Sequence, residues 1–213
     1  MSERLRIALT KGRLQEKSVA LFEGAGLDCT PIHHPGRRLI HALPNYPLDA
    51  VLAKAPDVIT YVEHGVCDLG IVGKDTILEK GGSFYEVLDL GFGKCRFALA
   101  VPEGKDFYAN YHALTIASKY PNVTKAFFQA KGLDVDIIKI EGSVELAPIL
   151  GLADGIVDIV ETGATLKANG LVPIETVAQV SARLIVNPAS MKLHKTAIED
   201  FIRRCEERLG EKP

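Results

Sequence analysis

Residues 158–166, Asp-Ile-Val-Glu-Thr-Gly-Ala-Thr-Leu, place two acids and an apolar run directly before a turn of small residues. The turn comprises Thr162, Gly163, Ala164 and Thr165. Backbone N–H groups and two hydroxyls can converge there on an anion at the start of the following helix. The stretch therefore predicts a phosphate-binding loop. The alternative is an ordinary strand-turn-helix junction without a ligand.

The acids before this turn suit two kinds of contact. Asp158 and Glu161 can accept hydrogen bonds from sugar hydroxyls, or they can help to hold a divalent cation. The four cysteines are scattered, without a Cys-x-x-Cys pair. His33 and His34 are adjacent and cannot share one face of a strand, and the other histidines are isolated. We therefore predict no metal held by the protein alone. Mg²⁺ is expected to arrive with substrate phosphates and to need only one or two carboxylates.

Several basic residues could bind phosphate. Lys11 directly follows a predicted strand, and Gly12 permits close approach of a ligand to the backbone. The planar guanidinium of Arg13 suits bidentate phosphate contacts. Lys54 is a further candidate, whereas Arg37 beside Arg38 reads by composition as a solvated pair. For each of these residues, the alternative to phosphate binding is a charged side chain facing water.

Two more acids precede or begin predicted helices. Glu145 follows Gly142-Ser143 and is either a capping-box carboxylate or a substrate ligand. Asp75 follows a strand and Gly73, where it either faces an adenine or ribose or acts as a helix-start acid. The sequence leaves both pairs of alternatives open.

The elements that position these residues alternate between short apolar runs and amphipathic segments, which is typical of parallel βαβ units. Strands are predicted at residues 5–9, 68–72, 96–101, 114–117, 135–140 and 156–160, and helices at 14–25, 56–64, 123–131 and 144–150. After residue 170 we predict one strand region and one helix. Ser190 is expected to cap this helix, whose apolar stripe is Ile198, Phe201, Ile202, Cys205 and Leu209.

Composition narrows the class of protein. The 213 residues carry a net charge of −2 and are 47% hydrophobic, enough for a sizeable core. A nucleic-acid-binding domain normally has a basic excess, so the net charge argues against this class. The chain has neither a bilayer-length apolar run nor an N-terminal signal-peptide pattern. We predict a cytoplasmic enzyme with no membrane contact.

The chain resembles the ATP phosphoribosyltransferase family of histidine biosynthesis. The signature of this family is matched at its spacing by Glu145, Gly151, Ala153, Ile156, Asp158, Thr162, Gly163, Thr165 and Leu166. Residues 8–14, 37–39, 57–65 and 68–75 resemble further family segments, in order along the chain.

The resemblance implies an α/β fold similar to type II periplasmic binding proteins, with an active-site cleft between two lobes. Residues 1–93 plus 178–213 would form lobe I, and residues 94–177 would form lobe II with the phosphoribosyl pyrophosphate loop. The chain resembles the short form, which lacks a histidine-binding C-terminal domain. This form implies self-association and a hetero-oligomer with a regulatory subunit resembling histidyl-tRNA synthetase.

The implied reaction is attack by N1 of ATP's adenine on 5-phosphoribosyl 1-pyrophosphate, with loss of pyrophosphate. Lys11, Arg13 and Arg37 are then expected to be catalytic. The expected substrate-binding residues are Asp158, Glu161, Thr162, Gly163, Ala164, Thr165, Lys54, Asp75 and Glu145.

Two other functions, a binding module without catalysis and a phosphoribosyltransferase that acts on a free base, are alternatives to this reaction. A binding module of the periplasmic type would share the fold without catalysis. A salvage phosphoribosyltransferase would carry two adjacent acids before its loop, whereas Asp158 and Glu161 are separated by Ile159 and Val160.

Overall fold

The structure, a computed structural model, describes residues 4–109 and 113–210. Its strands are β1 Leu5–Thr10, β2 Ile40–Ala42, β3 Leu48–Ala53, β4 Leu69–Gly73, β5 Tyr85–Asp89, β6 Cys95–Pro102, β7 Leu114–Ser118, β8 Val135–Lys139, β9 Gly155–Val160, β10 Leu171–Val180 and β11 Ala182–Val186. Its helices are α1 Arg13–Gly24, α2 Thr30–His33, α3 Ala55–Glu63, α4 Lys74–Lys80, α5 Pro121–Ala130, α6 Leu146–Ile149, α7 Ala164–Ala168, α8 Pro188–Leu193 and α9 Lys195–Gly210.

The chain divides into two compact units. The first runs up to Gly93 and resumes at Ser181, and the second is Lys94–Val180. The first unit holds a six-stranded sheet in the order β2-β3-β1-β4-β11-β5. The second holds a five-stranded sheet in the order β10-β6-β9-β7-β8. Each unit thus has its own sheet and its own cores.

Both sheets are mixed: they contain the predicted parallel pairs, and antiparallel strands extend them. In the first unit β1 pairs in parallel with β3 and β4, while β2, β5 and β11 run antiparallel to their neighbours. In the second unit β7 pairs in parallel with β8 and β9, while β6 runs antiparallel to β9 and β10. The parallel strands share one carboxyl edge in each sheet, and the following loops gather there.

The burial of apolar side chains accounts for the positions of β4 and α9. Every residue of β4 is buried, as expected of an apolar strand covered by helices on both faces. The apolar stripe of α9 buries Ile198, Phe201 and Cys205, and the rings of Phe22 and Phe201 meet edge to face at 5.4 Å. This contact fastens α9 to α1 within the first unit. Among the described residues, no helix is long and apolar enough to cross a membrane.

The C-terminal region differs from its sequence prediction. Two strands, β10 and β11, and two helices, α8 and α9, follow residue 170, in place of one strand region and one helix. The predicted helix at 144–150 is shorter, spanning only Leu146–Ile149. Ser190 lies inside α8 and donates its hydroxyl to Asp68 Oδ1 at 2.7 Å, so it is not a cap.

The cap of α8 is Asn187. Its buried side chain accepts hydrogen bonds from the backbone N–H groups of Ala189 and Ser190, both at 2.9 Å, and donates one to the carbonyl oxygen of Val62 at 2.8 Å. We expect Asn187→Ala to lower the free energy of unfolding by about 1–2 kcal/mol, since it removes the cap and one of the two hydrogen bonds to the carbonyl oxygen of Val62, which keeps its bond from the N–H of Gly65.

Chemical denaturation of Asn187→Ala and Asn187→Asp separates these two contributions. Asp keeps the capping acceptor but turns its second oxygen toward the carbonyl oxygen of Val62 in a site that is 6% exposed, so Asn187→Asp should also lose stability, and this loss cannot come from the cap. Equal stability of the wild type and the Ala variant would contradict the assignment.

Candidate functional site

In the first unit, basic residues follow the parallel strands at their shared carboxyl edge. Lys11 follows β1 and Lys54 follows β3, and the last residues of these strands, Thr10 and Ala53, are register partners. The N–H of Lys11 donates to the carbonyl oxygen of Ala53 at 2.9 Å. The two lysines are therefore neighbours with exposed side chains, at the kind of edge where α/β sheets bind ligands.

The turn after β1 brings Arg13 to the same edge. Gly12 has φ 90°, which an L side chain rarely adopts, and α1 begins at the next residue. Arg13 is exposed in the first turn of this helix. Three of the predicted phosphate ligands thus lie together.

Asp75 lies in the first turn of α4, directly after β4. A Cβ on Gly73 would stand 2.0 Å from Asp75 Oδ1, so this carboxylate folds back over the end of the strand. The position of Asp75 in the first turn of α4 fits its interpretation as a helix-start acid. Its half-buried carboxylate also lies at the edge of the sheet that carries Lys11.

Arg37 lies in the loop before β2. Ile40 pairs with Val51, so β2 begins near the end of β3, from which Lys54 follows. A pocket of about 330 Å³ opens beside this loop. Its basic lining residues are His34, Arg37, Arg38 and His41.

Sequence reasoning missed the two histidines of this pocket. His41 is only 3% exposed on an edge strand whose other two residues are exposed. A buried imidazole between Ile40 and Ala42 reads in sequence as an ordinary strand residue, and only the pairing of β2 with β3 places it in the pocket wall.

In the second unit, β9, β7 and β8 end at one edge, where the turn of residues 161–165, Lys119 and Glu141 follow them. Gly163 adopts φ 79°, and α7 begins directly after it. The N–H of Ala164 donates to Thr162 Oγ1 at 3.3 Å. Glu161, Thr162, Ala164 and Thr165 are exposed, so the turn presents backbone and hydroxyl groups to solvent.

Asp158 is half-buried on β9, on the same face as Ile156 and Val160. Burial raises the pKa of this carboxyl, the backbone N–H of Ile159 lowers it, the charge of Glu145 raises it, and that of Lys119 lowers it. Glu145 is therefore within electrostatic reach of Asp158. It occupies the N-cap of α6 without a side-chain capping bond, so the capping-box alternative is wrong.

We expect Asp158→Asn to stabilise the fold at neutral pH. Because the pKa of the folded state lies above that of the unfolded state, the wild type loses stability as pH rises through the range above 3.8. The variant lacks this loss, so its advantage should grow from acid to neutral pH. Thermal unfolding across that range measures it, with Asp136→Asn, an exposed site on β8, as the control. An advantage independent of pH would contradict this account.

Within residues 4–109 and 113–210, no group of three or more His, Cys, Asp or Glu side chains could hold a metal ion. The predicted site residues instead form two sets. Lys11, Arg13, Lys54 and Asp75 share the edge of the first unit, with Arg37 in the adjoining loop, while Glu145, Asp158, Glu161 and the 162–165 turn share the edge of the second.

Comparisons with known proteins agree on a family. The family profile described as "HisG: ATP phosphoribosyltransferase" matches residues 54–207. An ATP phosphoribosyltransferase of Clostridium kluyveri is 57% identical over 208 residues, covering 98% of this chain and 95% of the relative. One from Listeria innocua is 55% identical over 207 residues, covering 97% of each.

Solved structures extend the agreement to the fold. The ATP phosphoribosyl transferase (HisG:HisZ) complex from Thermotoga maritima contains a chain with TM-score 0.82 and 33% identity, covering 98% of this chain and 100% of that one. The periplasmic aliphatic sulphonate binding protein SsuA of Escherichia coli gives TM-score 0.60 at 15% identity, covering 98% and 73%. The predicted fold class, α/β and similar to type II periplasmic binding proteins, is confirmed.

Proposed function

Because this chain belongs to the ATP phosphoribosyltransferase family, we propose that it transfers the phosphoribosyl group of 5-phosphoribosyl 1-pyrophosphate to N1 of ATP. The observation that carries the proposal is the pair of dissimilar edges. The first unit presents cations, and the second presents a small-residue turn beside a half-buried acid. The substrates carry phosphate, pyrophosphate and ribose hydroxyls, and each unit by itself presents groups of a kind that binds some of them.

The chain's residues then divide the work of the reaction. N1 already carries a lone pair, so the nucleophile needs no strong general base. Lys11, Arg13 and Arg37 offset the charge that builds on the departing pyrophosphate, since preorganised cations act most strongly where charge develops. Lys54 binds the same polyphosphate, and Asp75 receives the adenine or ribose of ATP.

The second unit binds the sugar phosphate. The turn of Thr162, Gly163, Ala164 and Thr165 holds the 5-phosphate with backbone N–H groups and hydroxyls. Asp158 and Glu161 accept hydrogen bonds from the ribose hydroxyls. Asp158 and Glu161 would also help to hold a Mg²⁺ ion carried in by substrate phosphates, because such an ion needs only one or two carboxylates. When bound, the ion would neutralise phosphate charge.

The organisation around this site is also a proposal. We propose two lobes, residues 1–93 plus 178–213 and residues 94–177, and the division into compact units before Lys94 and after Val180 supports this proposal. We propose that the protein self-associates and works in the cytoplasm with a regulatory subunit resembling histidyl-tRNA synthetase. The Thermotoga maritima structure is a HisG:HisZ complex, and this supports a two-component assembly.

The decisive assay supplies 5-phosphoribosyl 1-pyrophosphate with either ATP or free adenine, with and without the candidate partner, and identifies products by mass. Phosphoribosyl-ATP is the expected product. Product from free adenine alone would instead indicate a salvage enzyme, and binding without turnover in all mixtures would indicate a binding module.

We expect histidine to inhibit only the mixture of this chain with its partner. An inhibitor acting through a second subunit must bind one conformation of the assembly better than the other. Calorimetric titration of histidine into the isolated chain should show no binding at micromolar concentrations. Micromolar binding to the chain alone would contradict the separation of catalysis from regulation.

A further inference from the structure

Lys119 is the residue that directly follows β7, the strand between β9 and β8. The preceding residue, Ser118, is hydrogen-bonded to the chain on both sides of β7. Ser118 is fully buried, its hydroxyl donates to the carbonyl oxygen of Val157 at 2.6 Å, and its carbonyl oxygen accepts from the N–H of Ile140 at 3.0 Å. The position of Lys119 is thus fixed by both neighbouring strands.

Strand register brings Lys119 beside Asp158. Ser118 pairs with Val157 in the parallel ladder of β7 and β9, so the next residues along, Lys119 and Asp158, are adjacent. Ala117 packs in the same core as Ile156 and Val160. Because side chains alternate along a strand, Lys119 and Asp158 both lie toward that face. The electrostatic effect of Lys119 on Asp158 agrees with this placement.

The edge around Lys119 is otherwise acidic. Glu161 directly precedes the turn that the proposed function assigns to a phosphate, Glu145 is within electrostatic reach of Asp158, and Glu141 follows β8 on the other side of β7. Lys139 is already paired with Glu141 at 2.7 Å. Lys119 is exposed and makes no hydrogen bond or ion pair with any residue in the described ranges 4–109 and 113–210. A phosphate dianion bound at this edge needs a cation, and Lys119 is positioned to supply it.

We propose that Lys119 is a substrate-binding residue whose ammonium group contacts the 5-phosphate of the phosphoribosyl substrate. This inference rests on the proposed function. A compact ammonium suits the role because it binds phosphate as a point charge, without the fixed geometry of a guanidinium. The register of β7 and β9 places the two groups that would receive the sugar phosphate and the ribose hydroxyls next to each other.

The test compares Lys119→Gln, Lys119→Arg and the wild type by calorimetry. Ribose 5-phosphate and 5-phosphoribosyl 1-pyrophosphate are titrated separately, and ATP binding is measured alongside. Lys119→Gln should lower the affinity for both sugar phosphates by about 10-fold or more, since a hydrogen bond to a charged group is lost. Lys119→Arg should recover most of that loss, and ATP affinity should not change. Lys125→Gln, an exposed lysine on α5, is the matched control and should bind as the wild type does.

The outcomes separate the inference from the function on which it rests. If the wild type binds the sugar phosphates and forms product, while Lys119→Gln binds them equally well, the role of Lys119 is overturned and the proposed function stands. If Lys119→Gln loses affinity only for 5-phosphoribosyl 1-pyrophosphate and not for ribose 5-phosphate, the 5-phosphate assignment is overturned. If the wild type binds neither sugar phosphate, both proposals fall.

Discussion

Arg37→Ala should lower kcat by about 10²- to 10³-fold, the usual effect of removing one preorganised donor from developing negative charge. The KM for 5-phosphoribosyl 1-pyrophosphate should rise much less, because the guanidinium acts mainly on the departing pyrophosphate. The exposed position of Arg37 beside a 330 Å³ pocket leaves its donors available to a ligand. Arg13→Ala should show the same pattern.

Arg38→Ala is the matched control for this measurement. It removes a neighbouring exposed guanidinium from the same loop and the same pocket, so non-specific loss of positive charge should affect both variants equally. Single-turnover kinetics in the presence of the partner separate chemistry from product release. Normal single-turnover rates in Arg37→Ala and Arg13→Ala would remove both residues from the mechanism.

The elements recognised in the sequence are those whose signal is local. The buried strands β4 and β9 are short apolar runs, and the turns after β1 and β9 contain glycines at φ 90° and 79°, conformations that favour glycine. Parallel strands then bring the following loops to a common edge. The grouping of Lys11 with Lys54, and of Asp158 with the 162–165 turn, follows from that topology.

The features that escaped prediction depend on distant partners. β11 is apolar like a parallel strand, but it runs antiparallel between β4 and β5, and its pairing is decided by residues far away in the sequence. Asn187 is held as the cap of α8 because its amide also donates a hydrogen bond to the carbonyl oxygen of Val62, whereas Ser190 donates its hydroxyl to Asp68. Lys119 carries no motif of its own, and its relation to Asp158 arises only when β7 pairs with β9.

Gly163→Val should raise the KM for 5-phosphoribosyl 1-pyrophosphate by about 10- to 100-fold, because holding a non-glycine residue in the left-handed region costs about 1–3 kcal/mol. A Cβ at Gly163 would meet only Val160 Cγ1, at 3.8 Å, which is ordinary contact, so crowding by protein atoms is not the cause. The cost comes from φ 79°, and a β-branched residue will relieve it by reshaping the turn that presents the backbone N–H groups.

Gly132→Val separates this local effect from general strain. Gly132 belongs to the same unit, has φ 68°, and offers open space to an added Cβ, but it lies between α5 and β8, away from the turn. Both variants should lose similar stability in thermal unfolding, whereas only Gly163→Val should lose affinity for the sugar phosphate in calorimetry. Unchanged binding in Gly163→Val, or an equal loss in Gly132→Val, would show that the 162–165 turn does not hold the 5-phosphate.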